Sequence, residues 1–160
     1  TRQLLNCEID VGILSEDQTN PELFSIPYCR HPVVLILNRR HRLAERDMIS
    51  LADLEQETVI LREKGSRTRE VFEQAVAAEG LTLHNKIEFG SRESVWWAAV
   101  HNIGIGISSE KEVIPHADLV KRHVIDREIH YHASICCLKE RRESRLLESF
   151  FQLVREQSLL

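Results

Sequence analysis

The sequence lacks both a long apolar run and a leader that would direct it to a membrane. No apolar run in the 160-residue chain approaches the length of roughly 18 residues that a membrane-spanning helix needs. The chain does not open on a charged segment followed by an apolar one, which is the pattern of an export signal. We therefore expect a cytoplasmic protein with no membrane partner.

The sequence also lacks an excess of positive charge. Lys and Arg total 21 against 25 Asp and Glu, which gives a formal net charge of -4. A module that binds DNA mainly through the phosphates of the DNA carries a net positive charge. We therefore do not expect this segment to bind nucleic acid by itself.

Spacings typical of disulfide frameworks and metal centres are missing as well. The chain has four cysteines, Cys7, Cys29, Cys136 and Cys137. They show no C-x-x-C spacing, so we expect reduced thiols, with redox sensing or metal binding as the alternatives. His130 and His132 alternate on one face of a predicted strand and could chelate a metal, but the pair alone is not a recognised metal-ligand motif. We predict neither a metal nor a cofactor.

Periodicity of the apolar residues predicts an α/β fold. Strand-like runs occur at 8–14, 24–28, 33–37, 58–62, 86–89, 103–107, 119–125 and 129–138. Helical spacing occurs at 66–79, 91–101 and 144–157. A polar loop is expected at 15–20, and Pro32 is expected to separate the second strand from the third. The alternation of strands and helices predicts a largely parallel sheet.

Two local signals refine this fold. Ser50 and Asp53 have the spacing of a capping box that opens a short helix. Gly104 and Gly106 lie in a strand that reads as buried, where glycine permits close approach of a neighbouring backbone.

Two polar stretches each follow a strand-like run and open a helix-like one. G-S-R-T-R at 65–69 follows the strand at 58–61, and G-S-R-E-S at 90–94 follows the strand at 86–89. A helix that begins in this way directs unpaired backbone N–H groups and the positive end of its dipole at the crevice beside the strand ends. Right-handed crossovers would bring both starts to the same edge of one sheet. The pattern predicts a binding site for a small anion.

Hydroxyl groups at these positions are candidate contacts for the anion. Ser66 and Thr68 stand at the first helix start, and Ser91 stands at the second. Each hydroxyl can also cap its own helix, and the two roles are compatible. Ser108 follows the apolar strand at 103–107, so we expect it at the crevice edge as a further contact.

Two arginines in the first helical turn are the other candidates. Arg67 and Arg69 oppose the helix dipole, so capping does not explain them. A planar guanidinium beside free N–H groups suits a carboxylate, sulfate or phosphonate, which it binds through two hydrogen bonds. The alternative is that both arginines are simply solvated at an exposed helix start.

Several short motifs occur in order along nearly the whole chain. They are N-C-E-I-D-V-G-I at 6–13, H-R-L-A at 41–44, I-S-L-A-D-L at 49–54, G-S-R-T-R at 65–69 and G-I-G-I at 104–107. In this order they resemble the effector-binding region of LysR-type transcriptional regulators. The resemblance implies a two-lobed α/β fold of the type II periplasmic-binding-protein kind, with mostly parallel sheets and an effector held between the lobes.

The resemblance also implies a domain organisation. Residues 38–128 would form one complete lobe. Residues 1–37 and 129–160 would form the other, which would lack its first strand, most of its first helix and its second strand. The DNA-binding helix-turn-helix would also be absent, so DNA would be a partner only through that missing N-terminal domain. A homodimer or homotetramer is implied.

These observations leave two functional hypotheses and disfavour a third. The leading one is a sensor that binds a small anionic metabolite and transmits the change through the oligomer to DNA. A solute-binding protein of a transport system shares the fold, although the absent leader and unpatterned cysteines disfavour it. We do not expect an enzyme, because no nucleophile, base and orienting acid stand at an informative spacing.

Overall fold

The computed structural model describes residues 1–15 and 20–157. The α-helices are α1 (Arg2–Leu5), α2 (Arg67–Ala78), α3 (Arg92–Val100) and α4 (Arg145–Gln157). The strands are β1 (Gly12–Ser15), β2 (Leu23–Asn38), β3 (Met48–Ile49), β4 (Thr58–Arg62), β5 (Asn85–Phe89), β6 (Ile105–Ser109), β7 (Leu119–Val124) and β8 (His130–Leu138). The loop predicted at 15–20 falls mainly on residues 16–19, outside the described residues. Over the described ranges, the helices are too short or too polar to cross a bilayer.

The chain divides into two compact units. Unit 1 comprises Thr1–Arg30 and Tyr131–Leu160, and unit 2 comprises His31–His130. In unit 1, β1 pairs with β8 in antiparallel register, and β8 also neighbours β2. Cys136 and Cys137 point to opposite faces of β8, since they belong to two different apolar clusters. Burial raises the pKa of both thiols.

Unit 2 contains the parallel strands that the sequence predicted. β4 pairs in parallel with β5 on one side and with β6 on the other. The outer strands differ, since β2 lies antiparallel to β6 and to β7, and the short β3 lies parallel to β7. Three parallel strands joined through helices therefore form the part of the sheet where we expect a ligand to bind.

Alternation along the strands of unit 2 separates two buried faces. Val34, Ile36 and Ile60 pack against α3 in one apolar cluster. Val59 and Leu61 are also buried, and they point to the other face because successive strand residues alternate. The right-handed connections after β4 and β5 run in opposite directions and so place α2 and α3 on opposite faces.

The prediction that Pro32 separates two strands is wrong. β2 runs without interruption from Leu23 to Asn38. The Val33 N–H donates to the carbonyl oxygen of Ile129 at 2.8 Å, so the Pro32 nitrogen faces the opposite edge. On that edge the pairing with β6 ends where Val33 lies opposite Ser109. Proline is tolerated there because no ladder hydrogen bond is required of it.

The predicted capping box is confirmed, and it opens a single 3-10 turn at Ala52–Leu54. The Ser50 N–H and hydroxyl donate to Asp53 Oδ2 at 3.0 and 2.8 Å, and the Asp53 N–H donates to Ser50 Oγ at 3.2 Å. Arg46 Nη1 lies 2.8 Å from the same carboxylate oxygen. Burial alone would raise the pKa of Asp53, but the hydrogen bonds from Ser50 and Arg46 outweigh it and lower that pKa.

Replacing Asp53 by asparagine is expected to remove a pH-dependent part of the stability. A carboxylate with a lowered folded-state pKa stabilises the protein above its unfolded pKa of about 4, and the contribution is lost as pH falls through the lower folded value. We expect Asp53→Asn to reduce the free energy of unfolding by about 1 kcal/mol at neutral pH and to flatten its fall below about pH 4. Urea unfolding across this pH range measures both effects. Exposed Asp47 is the control, because Asp47→Asn should change neither, and equal effects of the two substitutions would contradict the assignment.

Candidate functional site

The candidate site lies where the direction of strand connections reverses in unit 2. The chain passes from β4 to β5 on one side of β4, and then returns to β6 on its other side. Because the three strands are parallel, their carboxyl ends meet at one edge of the sheet. In open α/β sheets, ligands bind outside the strand ends at such a reversal.

A shallow crevice occupies this edge, which we call the β4–β6 edge. Its lining residues are Arg62, Thr68, Arg92, Val95, Ile107, Ser108, Ser109 and Glu112. The crevice formed by these residues encloses about 10 Å³, which holds about one water molecule. A metabolite at this edge of unit 2 would therefore lie over the crevice and present its polar groups to the lining.

Two of the six sequence-predicted contacts, Thr68 and Ser108, come together in this lining. Both side chains are buried. Ser108 Oγ accepts a hydrogen bond from Trp96 Nε1–H at 3.3 Å and donates to the Ser109 carbonyl oxygen at 3.3 Å. The neighbouring Ser109 hydroxyl lies 3.3 Å from Nδ1 of His31. The result is a short row of ordered hydroxyl groups at the end of β6.

The two predicted helix starts use their serines differently. Ser91 caps α3, since its Oγ accepts from the Ser94 N–H at 3.1 Å and lies 2.9 Å from the Ser94 hydroxyl. Ser66 occupies the N-cap position of α2 with extended backbone, but among the described residues its hydroxyl accepts no N–H of that helix. The capping role is therefore observed for Ser91 and not for Ser66.

The two predicted arginines are engaged within unit 2. Arg69 Nε lies 3.1 Å from Glu73, and its Nη1 donates to the Arg62 carbonyl oxygen at 2.9 Å and to Glu88. These contacts join the start of α2 to β4 and β5, and the hydrogen bond to Glu88 raises the pKa of Arg69. Arg67 Nη1 pairs with Glu70 at 3.3 Å. Neither arginine is among the described residues that line the crevice.

Sequence reasoning missed two other guanidinium groups at this edge. Arg62 ends β4, and its Nε and Nη2 each lie 2.7 Å from one carboxylate oxygen of Glu63. Arg92 opens α3, and its Nη1 lies 3.2 Å from Glu112. The hydrogen bond from Arg62 lowers the pKa of Glu63 to about 2. Arg62 could have been found from the sequence, because it is a charged residue at the end of an apolar strand, and ligands bind at the ends of such strands.

The described residues offer no cluster of metal ligands. Across residues 1–15 and 20–157, no group of three or more His, Cys, Asp or Glu side chains is placed to hold a metal ion. The chemistry that the crevice offers is therefore that of guanidinium groups, hydroxyl groups and helix N-termini, which together suit an oxyanion.

Comparison with known proteins identifies the family to which this chain is similar. The family described as LysR substrate binding domain matches residues 1–159. The HTH-type transcriptional regulator CysL of Bacillus subtilis (strain 168) is 27% identical over 117 residues. That match covers 73% of this chain and 38% of CysL, so the chain spans well under half the length of this relative.

Solved structures show the same fold. The regulatory domain of Synechocystis PCC6803 CcmR in complex with 2-PG has a TM-score of 0.85 at 24% identity, covering 99% of this chain and 77% of that chain. The effector-binding domain of QuiR in complex with shikimate has a TM-score of 0.86 at 17% identity, covering 98% and 75%. The predicted type II periplasmic-binding-protein fold is thereby confirmed. With the match over residues 1–159, this chain belongs to the LysR substrate-binding domain family.

Proposed function

We propose that this chain is the effector-sensing domain of a LysR-type transcriptional regulator and that it binds a small anionic metabolite at the β4–β6 edge. The observation that carries the proposal is the convergence of Arg62, Arg92, Thr68 and Ser108 at the reversal of strand connections. The structures of CcmR with 2-PG and QuiR with shikimate support an anionic effector, since both ligands are small anions.

The chemistry of this edge favours an oxyanion over a neutral ligand. A guanidinium presents two parallel N–H donors to a carboxylate or phosphate. The start of α2 adds backbone N–H groups and the positive end of a helix dipole. We propose that Ser66, Thr68, Ser91 and Ser108 contact the effector or its immediate surroundings. Arg67 and Arg69 contribute to the same site by charge and by holding the start of α2.

The remaining expectations from the sequence form part of the proposal. The lobes are bounded at 38–128 and at 1–37 with 129–160. The effector acts on a homodimer or homotetramer in the cytoplasm. It shifts the equilibrium between two conformations of this oligomer by binding one conformation more tightly than the other. The output reaches DNA through a helix-turn-helix domain of the same regulator.

The transport alternative and a catalytic role receive less support. The matching relative CysL is a transcriptional regulator, which favours the sensor over a solute-binding protein. We propose no reaction for this chain, because its sequence places no nucleophile, base and orienting acid at an informative spacing.

A thermal-shift screen tests the proposed function. The panel contains small carboxylates, amino acids, phosphate monoesters, sulfur anions and phosphonates, together with uncharged analogues of matched size. We expect at least one anion to raise the melting temperature in a concentration-dependent manner, while its uncharged analogue does not. A screen in which only uncharged compounds stabilise the protein would contradict an anion sensor.

Removing the two hydroxyl groups at the start of α2 is expected to weaken binding of the anion that the screen identifies. Ser66→Ala combined with Thr68→Ala should lower affinity about 10-fold, because each lost hydrogen bond contributes about 0.5–1.5 kcal/mol. Isothermal titration calorimetry measures the change. Thr68→Ser keeps the hydroxyl group and should retain most of the affinity, and Thr82→Ala is a control away from the crevice. Unchanged affinity in the double variant would remove these hydroxyls from the site.

A further inference from the structure

The contact between Arg62 and Glu63 has the geometry of a bound anion. Glu63 lies in the turn between β4 and α2, which is closed by a 3.2 Å hydrogen bond from the Ser66 N–H to the Glu63 carbonyl oxygen. Its carboxylate meets Nε and Nη2 of Arg62 at 2.7 Å each. An external carboxylate or phosphate would bind a guanidinium with this same paired geometry.

A purely structural role does not explain this pair well. It joins adjacent residues, whereas Arg69 connects β4, α2 and β5. The Glu63 side chain is 40% exposed and that of Arg62 is 23% exposed. Exposed ion pairs contribute little to stability, so the carboxylate of Glu63 can leave Arg62 without disturbing the fold.

Carboxylates already lie beside the two guanidinium groups at this edge. Arg62 pairs with Glu63. Arg92 lies 3.2 Å from Glu112 and 4.0 Å from Glu93. An incoming anion therefore has to replace a carboxylate that is already present. Glu63 is easier to displace than Glu112, because it is 40% exposed against 30% for Glu112 and stands in a turn.

We propose that Glu63 is a built-in competitor of the effector: its carboxylate occupies the Arg62 guanidinium and yields it to a carboxylate or phosphate group of the ligand. This inference rests on the proposed effector site at the β4–β6 edge. It makes Arg62 the residue that binds the anionic group and Glu63 the residue that sets the effector concentration at which the sensor responds. Neutral molecules do not bind at Arg62, because they cannot replace the negative charge that Arg62 loses when Glu63 leaves it.

The competition persists at every physiological pH. The pKa of Glu63 is about 2, so its carboxylate stays ionised and is not removed from Arg62 by protonation. An anionic ligand can take the place of this carboxylate, so the contact responds to ligand and not to acidity.

Calorimetric titration with inorganic phosphate at constant ionic strength tests the proposal. Glu63→Gln removes the competing charge and should lower the Kd for phosphate roughly 3- to 5-fold, the upper range for an exposed ion pair. Arg62→Gln should raise that Kd at least about 10-fold. Glu79→Gln is the matched control: it removes the same charge at the other end of α2, where Glu79 lies 3.9 Å from Arg127, and should leave the Kd unchanged.

The outcomes separate this inference from the proposed function. If Glu63→Gln binds phosphate no more tightly than the unsubstituted protein, or if Glu79→Gln matches its gain, the competitor role is wrong. If in that case Arg62→Gln still weakens binding, the effector site at this edge stands. If phosphate binds equally well to all variants, the anion lies elsewhere and both the inference and the proposed site are wrong.

Discussion

Replacing Gly104 by alanine is expected to destabilise unit 2 more than any other substitution considered for this chain. A Cβ atom at Gly104 would lie 2.3 Å from the carbonyl oxygen of Thr58 and 3.1 Å from its carbonyl carbon. These are backbone atoms at the start of β4, and the parallel register places Val59 opposite Ile105. Neither atom can rotate away, so β4 and β6 have to separate. We expect a loss of about 3 kcal/mol or more in the free energy of unfolding, measured by urea denaturation.

Two other glycines provide controls for this prediction. A Cβ at Gly90 would meet nothing within 4 Å among the described residues, so Gly90→Ala should stay within about 0.5 kcal/mol of the unsubstituted protein. A Cβ at Gly106 would lie 2.8 Å from Ile36 Cγ1, a side-chain atom that can shift, so its effect should be intermediate. Equal stability of the Gly104 and Gly90 variants would contradict the close approach of β4 and β6.

Replacing Arg69 by alanine is expected to have the second largest effect. Its guanidinium is only 10% exposed and binds Glu73, Glu88 and the Arg62 carbonyl oxygen. Hydrogen bonds to charged groups contribute about 1.5–3 kcal/mol, and exposure of Glu88 reduces that value, so we expect a loss of about 2 kcal/mol. Urea unfolding followed by far-UV circular dichroism measures it.

Arg127 serves as the matched control for Arg69. Its side chain is 42% exposed and lies 3.9 Å from Glu79, so Arg127→Ala should cost less than about 0.5 kcal/mol. If Arg69→Ala were as stable as the unsubstituted protein and lost anion affinity, Arg69 would contact the effector directly and the structural role argued above would be wrong.

Local patterns were sufficient to predict the elements that surround the site. The helix predicted at 66–79 is α2 (Arg67–Ala78), and the strand predicted at 58–62 is β4 (Thr58–Arg62). Apolar spacing and a glycine after the helix carry this information within a dozen residues. Pro32 was misread because its tolerance depends on where β6 ends, and residues near Ser109 lie far from it in sequence.

The candidate site was only partly predictable for the same reason. Thr68 and Ser108 could be predicted because ligands bind outside the ends of strands. Locating those ends does not require knowing which strands pair or in which register. The pairing of Arg92 with Glu112 depends on which strands are neighbours, and apolar periodicity does not encode that order. The engagement of Arg69 by Glu88 likewise requires β5 to lie beside β4.

A crystal structure of the protein with the most strongly stabilising anion of the screen tests the central claim most directly. We predict electron density for the anion at the β4–β6 edge, with oxygen atoms within about 3.2 Å of the Thr68 hydroxyl and the Arg62 guanidinium. Unit 1 contains a larger cavity, which encloses about 460 Å³ and is lined in part by Phe24, Arg142 and Phe151. Density for the anion in that cavity, with none at the β4–β6 edge, would contradict the claim.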